Sequence, residues 1–328
     1  MKGRPIRAAA LLAAAALALF FPALLPAWRS QMALLYVMIV FALTWDLLGG
    51  QMGYNSFGNV LFFGAGMYAC VIVQRDAHLG YYTGLLLGSA AGAALAVIVA
   101  AILGSGILGL RGHYFAIGTL GLGVAAAELA SGWDFVGAGG GMVPPLFPGA
   151  LGSRETFFYY ACLLLALVTF LVLRWLYAGR FGLVLNAIRD DEDKAEAMGL
   201  RTTRFKTTAW CVAALLLGLS GGATGNLLGF IDPREVAFAN GTFGVWMVLM
   251  AILGGKGTLW GPVIGAVIFH VTKELFWTYL LGWQRVALGL LIVVIVVFFP
   301  VGILGWARER WPERFGHRVE PAAQEAGP

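Results

Sequence analysis

The sequence predicts an all-α, polytopic helical membrane protein that crosses the bilayer about ten times. Of its 328 residues 60% are hydrophobic and only 12% are charged, and the mean hydropathy is +0.82. Apolar stretches of about 20 residues, the length that spans a hydrocarbon core of about 30 Å, recur along the chain. The 46 glycines suit close helix approach in lipid. Residues 1–305 are therefore predicted to form one transmembrane domain.

Ten apolar segments are the candidate spans. The first resembles a secretory signal, but its apolar run extends to Ala27 and another span follows at once, so we expect an uncleaved first helix. The fourth is long enough to be tilted or broken, and the eighth is short enough to be re-entrant or discontinuous. The segments cover approximately residues 6–27, 31–50, 57–74, 81–109, 114–130, 157–176, 207–230, 242–255, 259–281 and 285–305.

The basic residues predict the orientation of these spans. With the N-terminus inside, sixteen of the 22 Lys and Arg residues lie in inner segments and six in outer ones, as the positive-inside rule requires. Both termini and the segment 177–206 are then cytoplasmic, and the Gly/Pro-rich loop 131–155 is outside. We expect residues 306–328 to form a disordered, basic cytoplasmic tail. The net charge of +5 therefore reports orientation, and nucleic acid is not an expected partner.

Residues 177–206 form the one long charged segment and hold eleven charged residues. Apolar positions at spacings of three and four predict a short amphipathic helix over 186–199, which Gly199 ends as a C-terminal cap. A helix this short is marginally stable alone. We therefore expect another protein to hold it, although a solvated linker helix is the alternative.

Two further segments carry candidate transport residues. Glycines interrupt GGQMGYNSFGNVLFFGAGMYA (49–69), where polar side chains fall near bilayer depth. Unwound backbone there must face protein or water, and discontinuous helices of this kind often line transport sites; packing glycines with an interfacial turn are the alternative. In LRGHYFAIGTLGLGVAAAELASGWDF (110–135), Glu128 is a carboxylate near the membrane interior, where such residues are costly and usually functional; a water-exposed interfacial role is the alternative. Asp46 is a lone acid in the second span. A hydrogen bond to a neighbouring helix is a simpler explanation for it than a role in a proton relay.

The sequence offers no catalytic centre. GGKGTLWGPVIGA (254–266) fails the phosphate-loop pattern, because Met250 occupies the first glycine position and Gly257 follows Lys256 where Ser or Thr is needed. Any ATP must then be hydrolysed by a partner chain. No metal or other cofactor is expected, because the spacing of the histidines and cysteines fits no metal site. These residues are His78, His113, His270, His317, Cys70, Cys162 and Cys211.

Together these segments resemble the permease subunits of branched-chain amino acid ABC importers, and in particular the M-type member of the two membrane partners. The resemblance runs from about residue 30 to residue 305. Its most specific motifs, in matching order, are GYNSFGNVLFFGAGMYA, LRGHYFAIGTLG, NAIRDDEDKAEAMGL after GRFG, and LGGKGTLWGPVIGA.

The resemblance implies an amino-acid importer in the bacterial inner membrane. Its partners would be a second homologous permease subunit, two cytoplasmic ABC ATPases and an external substrate-binding protein, which docks near loops 131–155 and 231–240. It further implies that residues 186–199 are a coupling helix seated in an ATPase groove. The matching positions are Ala187, Ile188, Arg189, Glu192, Ala195, Glu196 and Gly199.

The expected substrate path is lined by residues of the interrupted helices. We predict Asn55, Ser56, Asn59, Tyr114, Thr119 and Glu128. Asn186, Asp193 and Lys194 depart from the family pattern, which bears on the identity of the ATPase. Two other functions stay open, namely an ABC permease for urea or short amides and a stand-alone secondary transporter that uses Asp46, Glu128 or Glu274.

Overall fold

The computed structural model describes residues 16–298 and 302–310. A helical segment over 16–24 and a 3₁₀ turn at Pro26–Trp28 lead into the bundle. The helices that follow are α1 (Arg29–Gly49), α2 (Asn59–Asp76), α3 (Tyr81–Ile107), α4 (Gly112–Gly132), α5 (Leu151–Ala178), α6 (Arg180–Asp190), α7 (Glu192–Ala197), α8 (Thr202–Leu228), α9 (Val245–Gly254), α10 (Gly261–Tyr279), α11 (Gln284–Phe298) and α12 (Gly302–Arg310).

The predicted fold class is confirmed, but the predicted number of ten spans is not. Helix covers most of the described part of each predicted apolar segment. Within the described ranges, however, six segments are both long and apolar enough to cross a membrane. They are Pro26–Gly49, Tyr81–Ile107, Gly112–Gly132, Leu151–Ala178, Thr202–Leu228 and Pro233–Gly254. Length explains part of the difference, because α11 has only 15 described residues.

Two sequence predictions fall wholly or partly outside the described residues. The prediction of an uncleaved first helix concerns residues 1–15, which lie outside the described ranges. Most of the predicted tail, 311–328, also lies outside, while its first residues continue α12 to Arg310.

Helix α1 lies at the centre of the bundle and is buried around most of its circumference. Every residue from Val37 to Gly49 is buried, and the helix packs against α5, α8 and α10. By contrast, α3, α4 and α5 are only about one-third buried. A helix that is apolar on all sides belongs in a protein core, whereas these three leave a broad apolar surface for lipid or another subunit.

Glycines allow α2, α3 and α8 to pack in close contact. A Cβ atom at Gly66 would lie 2.2 Å from the Gly218 carbonyl oxygen, and one at Gly92 would lie 2.7 Å from the Gly66 carbonyl oxygen. Small residues at such crossings let helix backbones approach, which is how helices associate in lipid. The close packing of these three helices fixes the position of α2, which begins at Asn59.

The predicted eighth segment, 242–255, is the end of a longer apolar stretch, Pro233–Gly254, whose helix is interrupted at 238–239, before the predicted segment. Two π-helical turns, Pro233–Ala237 and Asn240–Gly244, precede α9. The Asp232 carboxylate accepts hydrogen bonds from the backbone N–H groups of Arg234 and Glu235, at 2.8 and 2.6 Å. Just before this segment, Ile231 exchanges two backbone hydrogen bonds with Met142 at 2.8 and 2.9 Å. The predicted outer loop 131–155 therefore adjoins residues 231–240.

Candidate functional site

The charged segment forms two helices rather than the single predicted helix over 186–199. The break falls at Asp191, whose backbone is extended (φ −165°, ψ 105°) between α6 and α7. Its carboxylate accepts a 3.0 Å hydrogen bond from the Lys194 N–H. This bond lowers the pKa of Asp191. Aspartate is a strong N-cap, and Glu192 and Asp193 in the first turn suit the positive end of the helix dipole, so the sequence starts a new helix here.

Gly199 ends α7 in the predicted manner. It adopts φ +86°, and its N–H donates to the Glu196 carbonyl at 2.8 Å while the Leu200 N–H donates to the Ala195 carbonyl at 3.1 Å. These two hydrogen bonds form a Schellman cap. Glycine is favoured at this position because it has no Cβ atom to clash in the left-handed region. Helix α7 is thus a six-residue unit bounded by Asp191 and Gly199.

The seven predicted coupling residues divide between two faces of the segment. Ile188 and Ala195 are each only 3% exposed and pack against the bundle, and the side chain of Glu192 is 10% exposed. These three side chains therefore face the bundle. Arg189, Glu196 and Gly199 are exposed and Ala187 is partly exposed, so they lie on the free face. Large apolar side chains on the same segment are also exposed, with Leu183 at 70% and Met198 at 84%.

The inward face is organised by a buried ion pair. Lys206, in α8 and 3% exposed, donates from Nζ to Glu192 Oε1 at 2.6 Å. The same ammonium donates to the Leu108 carbonyl at 2.8 Å and to the Tyr54 hydroxyl at 3.0 Å. Tyr54 in turn donates from its hydroxyl to Glu192 Oε2 at 2.5 Å. Three donors of the ammonium and both carboxylate oxygens therefore have partners, which a buried ion pair requires.

These contacts keep the Glu192 carboxylate charged. Burial raises the pKa of the carboxyl, but the hydrogen bonds from Lys206 and Tyr54 and the nearby positive charges outweigh it, so the pKa lies below its ordinary value. The pKa of Tyr54 is raised, first by burial and then by the hydrogen bond to Glu192, so it stays a neutral donor. Arg111 lies at the edge, with Nη1 2.9 Å from Asp193 Oδ1 and Nε 3.5 Å from Glu192 Oε2.

The cluster of Tyr54, Glu192 and Lys206 was not predicted from the sequence as a functional site. It is called the cytoplasmic clamp below, after the side of the membrane that the sequence predicts for this segment. It joins α7 and α8 to the segment 50–58, which lies between α1 and α2. The sequence could have shown that Lys206 needs a partner, because a charge at the start of an apolar span is costly unless it is paired. The spacing along the chain could not identify the partners, since Tyr54 and Lys206 are 152 positions apart.

The predicted substrate-path residues form one buried group and several separate exposed positions. Thr119 Oγ1 accepts a 3.0 Å hydrogen bond from the Phe57 N–H, and Ser56 Oγ accepts one of 3.3 Å from the Gly58 N–H. Ser56, Asn59 and Thr119 are fully buried. The two amide atoms of Asn59 have no hydrogen-bond partner within the described residues. Asn55 is exposed beside this group.

Tyr114 and Glu128 lie on the exposed face of α4, away from the buried group. Tyr114 is 76% exposed. Glu128 pairs with Arg234 at 2.7 Å, and both side chains are about 60% exposed (58% and 61%). An open depression of about 760 Å³, lined by Ala125, Glu128, Leu129, Gly132 and Trp133, surrounds the Glu128 end of this face. The six predicted residues therefore do not form one closed pocket within this chain.

No group of three or more His, Cys, Asp or Glu side chains in the described ranges could hold a metal ion. The arrangement provides broken helices, an exposed apolar face and a charged two-helix segment tied to the bundle. These features define a multi-pass helical membrane protein.

Sequence comparison identifies the family. The chain matches the family described as "Branched-chain amino acid transport system / permease component" over residues 29–298. Because the match covers most of the chain, this protein belongs to that family, as the sequence motifs predicted.

Individual relatives agree with this assignment. The high-affinity branched-chain amino acid transport system permease protein LivM of Salmonella typhimurium is 27% identical over 307 residues, covering 85% of this chain and 70% of the relative. LivM of Escherichia coli K12 is 26% identical, covering 83% and 68%. The LivH permease protein of Salmonella typhimurium is 30% identical over 174 residues, covering 50% and 55%. The similarity to LivM is thus the more extensive of the two. No solved structure matches the chain significantly.

Proposed function

We propose that this protein is the M-type permease subunit of an ATP-driven importer for branched-chain or other apolar amino acids in the bacterial inner membrane. It belongs to a family of permease components, and its lysine-containing glycine motif cannot form a phosphate loop. ATP would therefore be hydrolysed by partner chains. The observation that carries the proposal is the free face of α6 and α7, where large apolar side chains are exposed among charges.

Two cytoplasmic ABC ATPases are the proposed source of energy. Leu183 and Met198 are exposed on a charged segment, outside any stretch apolar enough to be covered by lipid. Exposed apolar side chains rimmed by charges mark protein-binding surfaces. Arg189 and Glu196 flank them and supply charges of both signs. An ATPase groove that accepts α7 would bury Met198 and leave the cytoplasmic clamp on the opposite side of the helix.

A second homologous permease is proposed to cover the exposed face of α4. The glycines of this face leave space, since a Cβ atom at Gly121 or Gly132 would meet nothing within 4 Å. Helices in lipid associate through small residues of this kind. The substrate would pass between the two subunits, along Tyr114 and Glu128 and past Asn55. An apolar lining with few charges suits a zwitterion that carries an apolar side chain.

The external substrate-binding protein is proposed to dock where residues 131–155 meet residues 231–240. The bridge between Met142 and Ile231 holds these segments together, and the pair of Glu128 and Arg234 adds exposed charges of both signs beside them. With this face outside, the charged segment and both termini lie in the cytoplasm, in agreement with the positive-inside rule.

The test is purification of the chain in mild detergent, identification of its partners by mass spectrometry and uptake by the reconstituted complex. We expect a second permease and ATPases with phosphate-loop motifs, and ATP-dependent uptake of leucine, isoleucine or valine. Uptake of urea or short amides in place of these amino acids would overturn the proposed substrate. Transport by the isolated chain without ATP would overturn the importer and favour a secondary transporter.

A further inference from the structure

The cytoplasmic clamp connects the proposed docking helices to the segment that begins the substrate path. Residues 50–58 reach three neighbours. Tyr54 bonds Glu192 of α7, and Gly53 lies against Arg189 of α6, where an added Cβ would be 3.1 Å from Arg189 Cγ. At the far end, the Phe57 N–H bonds Thr119 of α4. A movement of α7 can therefore reach the buried group around Ser56 and Asn59 through a few contacts.

We propose that the cytoplasmic clamp transmits the movement of α7 to residues 50–58 and so couples ATPase closure to the opening of the substrate path. This inference rests on the proposed function, and it assigns Glu192 a different role from its exposed neighbours. Glu192 is a positioning residue that pulls Tyr54, whereas Arg189 and Glu196 contact the ATPase.

The ends of α7 allow this helix to move as a unit. Asp191 is extended on one side, and Gly199 is left-handed on the other. Glu192 stands at the first position of the helix, directly after the Asp191 joint. If its carboxylate left the cluster, the buried Lys206 ammonium would lose its counter-charge, which is strongly unfavourable. Residues 50–58 must therefore follow α7.

The other ion pairs of the charged segment cannot perform this role. Arg189 pairs with Asp190 and Lys194 pairs with Asp191, so each pair stays within the segment and is largely exposed. The Thr202 hydroxyl donates to Glu196 and ties α7 to α8, but that contact does not reach residues 50–58. Arg111 binds Asp193 from the start of α4, and Asp193 is 75% exposed. In the described part of the chain, the Tyr54–Glu192 hydrogen bond is the buried polar contact between α7 and this segment.

Tyr54→Phe in the reconstituted full complex tests the proposal, because it removes one hydroxyl and keeps the buried ion pair. We expect the ATPases to co-purify as in wild type, while the amino acid taken up per ATP hydrolysed falls about tenfold, the loss expected for one hydrogen bond to a charged group. Hydrogen exchange gives a second readout. ATP binding should change amide protection in residues 50–58 of wild type and not of the variant.

The matched control is Tyr177→Phe. The Tyr177 hydroxyl is also buried, at the end of α5 and the start of the charged segment, but it has no hydrogen-bond partner within the described residues. Its removal should leave uptake per ATP unchanged. Glu192→Gln, which keeps the shape and removes the charge, should reproduce the Tyr54→Phe defect.

Normal coupling in Tyr54→Phe, or loss of ATPase binding by that variant, would overturn the transmission role. Absence of ATPases from the wild-type complex would instead overturn the proposed function on which it rests.

Discussion

Asp46, near the end of α1, accepts a 2.6 Å hydrogen bond from the backbone N–H of Gly257, 211 positions further along the chain. Asp46 is only 1% exposed, and Gly257 adopts φ +75° in the loop between α9 and α10. The hydrogen bond expected for this acid is thus present, although its partner is a loop rather than a helix. It places the glycine-rich motif of residues 254–266 against the central helix.

This contact predicts different effects for two substitutions of Asp46. Asp46→Ala leaves the Gly257 N–H without its acceptor, which should lower the free energy of unfolding by about 1–3 kcal/mol. Asp46→Asn retains an acceptor oxygen and should cost less. Thermal unfolding of the purified variants measures both. If Asn were as harmful as Ala, the negative charge rather than the hydrogen bond would be what the fold requires.

The glycines of the α2–α3–α8 crossing predict a second stability difference. Gly66→Ala places a Cβ 2.2 Å from the Gly218 carbonyl oxygen, so the backbones must separate, at a cost of about 1–3 kcal/mol. Gly121→Ala in α4 is the matched control, because its Cβ meets nothing within 4 Å and alanine favours the helix by about 1 kcal/mol. Thermal unfolding of the isolated subunit should rank Gly121→Ala at or above wild type and Gly66→Ala below it. Equal stabilities would contradict the packing.

Much of the fold could be predicted from the sequence because burial in lipid leaves a strong signal. The apolar segments and the glycine cap at Gly199 follow from composition and local backbone chemistry. The number of spans could not be fixed, because a helix such as α10 carries Lys273 and Glu274 close to its apolar residues. Helix length and hydrophobicity then give different counts.

The candidate site was harder to predict because it depends on which way short helices face. Asp191 followed by two acidic residues is the signature of a helix N-terminus, and this signal could have placed the break. A helix of six residues has too few positions for its buried face to be identified from spacing. The sequence could not show that Glu192 turns toward Lys206 while Glu196 stays exposed, since that depends on contacts between distant segments.

Two substitutions on the free face should uncouple transport and leave the bundle folded. Gly199→Pro is incompatible with φ +86°, since proline holds φ near −65°, and it also removes the N–H that caps α7. Glu196→Lys reverses an exposed charge on the proposed ATPase surface. Both variants should retain the wild-type melting temperature within a few degrees and lose ATP-dependent uptake in reconstituted complexes. Normal uptake by both would contradict the docking role of α7.

Substitutions in the pair of Glu128 and Arg234 should affect transport more than stability. Because both side chains are more than half exposed, Glu128→Gln should change the free energy of unfolding by less than about 1 kcal/mol. Uptake should fall, because the carboxylate faces the proposed path. The charge-swapped double variant Glu128→Arg/Arg234→Glu restores an ion pair without restoring the original carboxylate position. We expect it to stay defective in uptake assays; full rescue would show that only the pairing matters.

The pH dependence of stability should report the cytoplasmic clamp. The folded-state pKa of Glu192 lies below its ordinary value of 4.5, so its contribution is present above that value and is lost as pH falls through the lower, folded pKa. The difference in melting temperature between wild type and Glu192→Gln should therefore be constant from about pH 7.5 to about pH 5.5 and shrink below about pH 4.5. Tyr54 and Arg111, whose pKa values lie above their ordinary values, keep their protons over this range. A difference that grows as the solution is acidified would mean that the carboxyl is protonated in the fold, and the ion pair with Lys206 would then be wrong.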